Sequence, residues 1–511
     1  MNLPAQMLSS RMPVLSAARV ALVAGLMATA ATAAPPQILG KPWKVKAVHH
    51  PPARPVAAAR GITPVPLALP FPQPPVIGFQ PLMVLTTSDR KKNGELEWEH
   101  VLESSYVGSP LNPPASENYV VAVIDSGSTA DILMECDAAT LGLTPSRITP
   151  NTVTLSGAGG EIEAFITYPL GIFVAPFTAV DANVILDLNQ VVGHSNIAAV
   201  QLPQDDCESS PLNALIGTEF LAFYNTSIRP DQPQVLTVGG RTYKSPLVQI
   251  LPKNAPLPTY PRRIAMNFGG LAPATTASFF GDFEDFKTPI TPTMLAFAAS
   301  FPTGGAFFST MGVLEGEPGP TNPIQNARVL VDTGAQATVI SPGMAANLNL
   351  PAEPDFLVET AGVGGTELLP GYYVDYLRIN ALGGALEFSQ VPVVVFDLPS
   401  IDGLPLDGIM GMNLFWNRNI IFEPSISGSG FLHVSDPIPF AYGDFDYDFD
   451  VDAEDFDYFQ MCTSGPTIYQ AAPECRHVDY DMDGDVDGDD FGVFQRCYTG
   501  PNVIASPTCS Q

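Results

Sequence analysis

Val329-Leu330-Val331-Asp332-Thr333-Gly334-Ala335 is the stretch on which the reading of this chain turns. The aliphatic run predicts a buried strand, and the glycine two residues past the aspartate predicts a tight turn that carries the carboxylate off the strand end. Laying Asp332 on Asp125 uncovers a second copy, in which Val121 to Ile124 lead into Asp125-Ser126-Gly127-Ser128. The register continues: Ile132 falls on Val339, Ala138-Ala139 on Ala345-Ala346, Leu141 on Leu348 and Leu143 on Leu350. Further on, each copy has a glycine-rich stretch, Ser156-Gly157-Ala158-Gly159-Gly160 and Ala361-Gly362-Val363-Gly364-Gly365. Each then has an apolar pair before glycine, Leu215-Ile216-Gly217 and Ile409-Met410-Gly411, followed by Phe220 or Phe415. Matched features in one order identify an internal duplication.

One Asp-Ser/Thr-Gly loop is inert and is usually just a turn. Two facing each other place their carboxylates close enough that both cannot ionise together, so the pair titrates as a unit with one proton shared. Such a pair can take a proton from water and give one to a carbonyl or a leaving amine, which is general acid–base hydrolysis of a peptide bond. Ser126 and Thr333 are placed to hydrogen-bond across to the partner loop and brace it.

These residues resemble the aspartic proteases, and the second copy, through Asp407-Gly408-Ile409-Met410-Gly411-Met412-Asn413-Leu414-Phe415, is closest to the retropepsin-like family. The likeness covers roughly residues 83 to 434. Two copies in one chain imply a mostly β, two-lobed acid-protease fold of pepsin-like pseudo-dimer form. The resemblance implies Asp125 and Asp332 as the catalytic dyad, with Ser126, Gly127, Ser128, Thr333, Gly334 and Ala335 as supporting loop residues. It makes Gly157, Gly159, Gly160, Gly362, Gly364 and Gly365 parts of two flaps closing over an extended peptide. The chain departs from the pepsin pattern in lacking a Tyr-Gly-x-Gly flap in its first lobe. The stretch from Ser227 to Asn326 has no obvious counterpart.

A second repeat closes the chain. Phe456-Asp457-Tyr458-Phe459-Gln460-Met461-Cys462 matches Phe491-Gly492-Val493-Phe494-Gln495-Arg496-Cys497, each predicted as a short helix. Before the second helix, Asp479, Asp481, Asp483, Asp487 and Asp490 occupy loop positions 1, 3, 5, 9 and 12, with Gly484 at position 6 and Asp485 at position 7. That is the spacing by which one short loop wraps a hard cation such as Ca2+ in oxygen. The first copy offers Asp444, Asp446, Asp448, Asp452 and Asp455, but has Phe449 where glycine is expected. The closing aspartates and following helices resemble type I dockerin repeats, small α-helical EF-hand-like modules, and so imply a cohesin-type partner. Cys462–Cys475 and Cys497–Cys509 are the expected pairings, each stapling one short loop. Cys136 and Cys207 remain for a bridge in the first lobe.

Composition limits the alternatives. The 511 residues are 46% hydrophobic and only 15% charged, with 52 Pro and 43 Gly, which favours strands and turns. A net charge of -29 excludes the phosphate neutralisation that nucleic-acid binding needs. Arg11 and Arg19, an apolar run from Val20 to Met27 and Ala31-Thr32-Ala33 read as an export signal over residues 1–33, too short to span a bilayer. The expected location is secreted or at the cell surface, with no membrane span once the signal is removed. Residues 34–82 read as a Pro-rich linker or pro-segment without strand period. The lobes are expected at 83–230 and 327–436, with an interlobe segment at 231–326 and the acidic module at 441–511. Scattered histidines exclude a zinc-protease motif, and no Gly-x-Ser-x-Gly elbow is present. The sequence thus predicts a secreted aspartic endopeptidase acting on peptide or protein, against one alternative, a non-catalytic binding or scaffold protein on the same fold.

Overall fold

The computed structural model describes residues 44–48, 78–88, 119–141, 143, 148–157, 160–167, 170–180, 183–186, 192–197, 199–203, 213–238, 241–270, 277–280, 305–316, 318–362, 365–398, 405–470, 475, 478–501 and 503–510. The export signal, Ala158, Gly159, Val363, Gly364 and Cys207 lie outside them. Among the described residues the strands form a 13-stranded sheet, a 10-stranded sheet and a two-stranded hairpin.

Each half of the duplication builds the same knot of three strands. In the first, Val120–Ile124 runs parallel to Ala214–Ile216, and Ile132–Met134 lies antiparallel on the far side of Ala214–Ile216. In the second, Gln325–Val331 runs parallel to Gly408–Met410, which pairs antiparallel with Thr338–Ile340. Parallel neighbours need a long crossover. Each crossover holds a short helix, Glu135–Thr140 or Pro342–Asn347, and a β-hairpin. The strands bearing the aspartates are apolar because both faces are covered: Val120 to Ile124 and Val329 to Val331 are all buried. One continuous core runs through both halves.

Three features differ from the sequence reading. The stretch 34–82 is not uniformly linker, because Lys44–Val48 pairs antiparallel with Phe356–Gly362, Val48 opposite Phe356. The alternation Lys44-Val45-Lys46-Ala47-Val48 is itself a strand signal that the flanking prolines mask. The boundary at 230 cuts the continuous strand Asn225–Val238, and the described residues of the interlobe segment include several strands. Asn225–Val238, Arg241–Leu251, Arg262–Gly269 and Ala306–Leu314 all take places in the 13-stranded sheet, where Arg262–Gly269 joins Ser429–Val434 to Ala306–Leu314. Asn225–Val238 and Arg241–Leu251 form a local hairpin, but the partners of Arg262–Gly269 lie far along the chain, where no local motif announces them.

The C-terminal residues form a separate apolar cluster in which Phe459 and Phe494, from helices Ala453–Cys462 and Gly488–Cys497, are buried with Val451 and Val486. Disulfides Cys462–Cys475 and Cys497–Cys509 close it, with Cα separations of 5.2 and 4.9 Å. Cys136 is also disulfide-bonded. Among the described residues no helix is long and apolar enough to cross a membrane.

Candidate active site

The two aspartate loops meet. Ser126 Oγ donates to the Val331 carbonyl (2.8 Å) and accepts from the Thr333 amide (3.0 Å). Reciprocally, Thr333 Oγ1 donates to the Ile124 carbonyl (2.6 Å) and accepts from the Ser126 amide (3.0 Å). Both side chains are buried, so four bonds without competing water lock strand end to strand end. A hydroxyl is needed at each position because it alone donates and accepts at once.

This lock brings the carboxyls together. Asp125 and Asp332 each lie against the glycine of the partner loop, close enough that each carboxyl acts on the other's protonation. Asp125 Oδ1 also accepts from the amides of Gly127 (2.8 Å) and Ser128 (3.0 Å), and Asp332 Oδ1 from those of Gly334 (2.8 Å) and Ala335 (3.1 Å). The glycines are required by the partner. A methyl group on Gly127 would stand 2.3 Å from Asp332 Cγ, and one on Gly334 would stand 2.6 Å from Asp125 Cγ. Burial raises both carboxyls above the usual range. Asp332 goes further, because the charge of Asp125 adds to burial, while the amide hydrogen bonds pull the other way. Both side chains keep partial contact with solvent, so this burial is crowding by the facing backbone rather than full enclosure. The loops are near copies, so the shared proton is a property of the pair.

The apolar-apolar-glycine motifs form the backing of these loops. Gly217 and Gly411 pass so close to the carbonyls of Ala130 and Ala337 that an added Cβ would lie 2.2 and 2.3 Å away. Directly after them, the amide of Thr218 donates to Ser128 O (2.9 Å) and that of Met412 to Ala335 O (2.8 Å). The glycine-rich stretches are hairpin ends. Gly157 pairs with Gly160, and Gly362 with Gly365. Gly159 and Gly364 lie outside the described residues. Sequence reading missed Asp131, Glu219, Thr338 and Asn413, which brace the backing. Asp131 and Thr338 could have been found by stepping one residue back from the Ile132–Val339 match.

The acidic loops also repeat each other in space. Asp444 accepts from the amides of Asp448 and Phe449 (3.0 and 2.9 Å), as Asp479 does from those of Asp483 and Gly484 (3.1 and 3.0 Å). Asp455 and Asp490 complete capping boxes with Asp452 and Asp487 at the two helix starts. Carboxylate oxygens converge in four groups: Asp444, Asp446 and Asp455; Asp450, Asp452 and Asp455; Asp479, Asp481 and Asp483; and Asp485, Asp487 and Asp490. Burial, then the neighbouring charges of Asp446, Asp448 and Asp455, raise Asp444 well above the carboxylate range, and burial brings Asp455 to about 7. Phe449 stands at the glycine position with φ +75°, beside +98° at Gly484. Left-handed backbone costs a non-glycine residue about 1–2 kcal/mol. Phe449 is buried against Trp416, whose ring centroid lies 6.0 Å away, and burial of such a side chain returns about 1.5–3 kcal/mol. Lys244 reaches the same loop, its Nζ 2.5 Å from Asp448 Oδ2.

This geometry is an aspartic-protease-like fold: two mirrored strand-and-turn units, each presenting one aspartate to the other. Comparison with known proteins agrees over part of the chain. A family model described as aspartyl protease matches residues 319–414, which include the second aspartate loop, hairpin and backing glycine. Among solved structures, an aspartic proteinase from Irpex lacteus is 11% identical, covering 71% of this chain and 95% of its own, with a TM-score of 0.34. A likeness at that score decides nothing further. No curated protein matches.

Proposed function

We propose that the protein is a secreted, single-chain aspartic endopeptidase whose dyad is Asp125 and Asp332, carrying a calcium-stabilised dockerin-like module. The observation that carries this reading is the reciprocal Ser126–Thr333 lock, which sets each carboxyl against the partner loop's glycine. With one proton shared, the ionised carboxylate takes a proton from water as its oxygen attacks the peptide carbonyl. The protonated partner gives its proton to the carbonyl oxygen. The tetrahedral diol then collapses: the protonated carboxyl gives its proton to the leaving amine while the ionised one takes a hydroxyl proton from the diol, so the pair again holds one proton. The two hairpins ending at Gly157/Gly160 and Gly362/Gly365 serve as flaps on the substrate.

The acidic loops suit calcium in donor type, because every converging group is a hard carboxylate. A carboxylate has about four lone-pair sites. Asp490 already accepts from Tyr480, Asp481 and Asp487 amides, so it offers a cation a single oxygen site rather than the bidentate grip of glutamate. Asp479, Asp481, Asp483 and Asp487 would supply the remaining side-chain oxygens in the second loop, and the Asp485 carbonyl one more. The first loop, Asp444, Asp446, Asp448, Asp452 and Asp455, is the weaker site, since Lys244 already compensates Asp448. A calcium-folded module would present its helices to a cohesin-type partner.

The test is cleavage of a peptide library between about pH 3 and 7, the range open to a shared-proton pair, by calcium-loaded protein and by Asp125→Asn and Asp332→Asn. Cleavage by the wild type alone supports the dyad. A folded wild type that cuts nothing refutes it in favour of a peptide-binding protein on this fold. Calcium is tested separately, by the shift of the unfolding midpoint on chelation and its loss in Asp483→Ala.

A further inference from the structure

Behind the aspartate loops the two lobes share the same backbone bonds but differ in the side chains that support them. In the second lobe Thr338 Oγ1 accepts from the Gly411 amide (3.3 Å) and donates to Asn413 Oδ1 (2.7 Å), while Asn413 Nδ2 donates to the Pro392 carbonyl (3.2 Å). That cluster is neutral and closed. In the first lobe the same two places hold acids. Asp131 takes the position of Thr338, and its Oδ1 accepts from the Gly217 amide at 2.7 Å. Glu219, two residues past Gly217, takes the position of Asn413, two residues past Gly411.

Both acids are buried, at 1% and 4% exposure, and Asp131 Oδ2 and Glu219 Oε2 have no hydrogen-bond partner among the described residues. The elements packed around them are the turn after Ile124, strands Ile132–Met134, Val192–Ile197, Val200–Leu202 and Ala214–Ile216, and helices Glu135–Thr140 and Thr218–Leu221. Their other titratable groups are Asp125, Glu135, Cys136 in its disulfide, Asp137 and His194; they carry no Lys or Arg. Two carboxylates cannot both stay ionised in such surroundings without a cation. Burial accordingly lifts Asp131 to about 8, and burial with the charge of Asp131 lifts Glu219 well above its usual range.

We propose that Asp131 and Glu219 form a second, non-catalytic carboxyl pair, which retains a proton and positions the Asp125 loop through the Gly217 and Thr218 amides. When the proton is held, Asp131 anchors Gly217, and the next amide holds Ser128 O, whose own amide holds the Asp125 carboxylate. When both acids ionise, repulsion works against that anchor. The first lobe is therefore braced in acid and loosened toward neutrality, whereas the second lobe, with Thr338 and Asn413, is indifferent to pH at this place.

The sign follows from proton counting. The folded pair keeps a proton that the unfolded chain has released above about pH 4, so stability falls as pH rises from there through the folded value. Each proton so retained costs tenfold in the folding constant per pH unit within that window. The experiment is urea unfolding of the full chain at several pH values from 4.5 to 8, comparing wild type with Glu219→Gln and with the Asp131→Thr/Glu219→Asn double variant, which installs the second lobe's own pair. The contribution of the catalytic dyad is common to all three and cancels. The expected result is a slope shallower by close to tenfold per pH unit in a variant, with Glu219→Gln folding more favourably than wild type above pH 7. Equal slopes in wild type and Glu219→Gln overturn the proposal, and Glu219→Gln keeps it testable should the double variant not fold. The kinetic arm rests on the peptidase reading. In it, Glu219→Gln extends the alkaline limb of the cleavage profile, a change that a purely structural side chain would not produce. A wild type without cleavage defeats the peptidase reading but leaves the unfolding comparison intact.

Discussion

Replacing Ser126 by alanine removes one oxygen, and the structure sets what that oxygen is worth. Its hydroxyl makes two of the four bonds of the lock, donating to Val331 O at 2.8 Å and accepting from Thr333 N at 3.0 Å. Ser126 and Thr333 are 0% and 2% exposed, so water cannot replace either bond. Alanine therefore leaves a buried carbonyl and a buried amide without partners, at about 1–3 kcal/mol each. Partial relaxation lowers the sum, and the expected loss is about 2–5 kcal/mol, against a total stability of about 5–15 kcal/mol for ordinary domains. Thr333→Ala strands Ser126 N and Ile124 O in the same way and is expected to cost as much. Because the first substitution already loosens the contact that the second would weaken, the double variant should cost less than the sum, with a coupling of about 1 kcal/mol or more. Thr333→Ser keeps every bond and should cost far less. Urea unfolding of wild type and these four variants, with peptide cleavage alongside, gives all these quantities. A Ser126→Ala midpoint equal to wild type, or strict additivity in the double variant, would refute the claim that the lock holds the lobes' catalytic loops together.

Gly127→Ala and Gly334→Ala place a methyl 2.3 and 2.6 Å from the opposing carboxyl carbon, so each must push the dyad apart; cleavage should fall by about 100-fold or more, and unaltered turnover would show that the carboxyls do not work as a pair. Asp332→Asn removes a carboxyl that burial and the Asp125 charge push well up. Stability from a raised carboxyl is complete below its unfolded value and is lost as pH rises through the folded one, so this variant should gain on wild type near pH 8 and not near pH 4, as thermal unfolding at the two pH values would record. Phe449→Gly relieves about 1–2 kcal/mol of left-handed strain but gives up the packing against Trp416, where truncating a buried phenylalanine costs about 3–5 kcal/mol. A net loss of about 1–4 kcal/mol is expected from the difference, and a gain in stability would mean that the phenylalanine is only a defective glycine position.

The duplicated aspartate loops were legible because the requirements there are local. A buried strand must be aliphatic, a carboxylate delivered at its end needs a tight turn, and the facing carboxyl leaves no room for a Cβ at Gly127 or Gly334. Such constraints act on neighbours in sequence, so they leave a motif, and the acidic loops with their Asp spacing are of the same kind. The backing glycines were legible as a pattern, though their cause, the carbonyls of Ala130 and Ala337, was not. Other features became visible only in three dimensions. The strand Lys44–Val48 and the strands between Asn225 and Leu314 acquire their roles from partners far along the chain, such as Phe356 and Ser429–Val434. Phe449 looked like a fault in a loop until Trp416 supplied a reason for it. Asp131 and Glu219 belong to no motif, and only burial in the fold brings them to notice. Hydrophobic period and turn chemistry report what a segment needs of itself. The pairing of two carboxyls, at the dyad or behind it, depends on which segments the tertiary fold brings within a few ångströms.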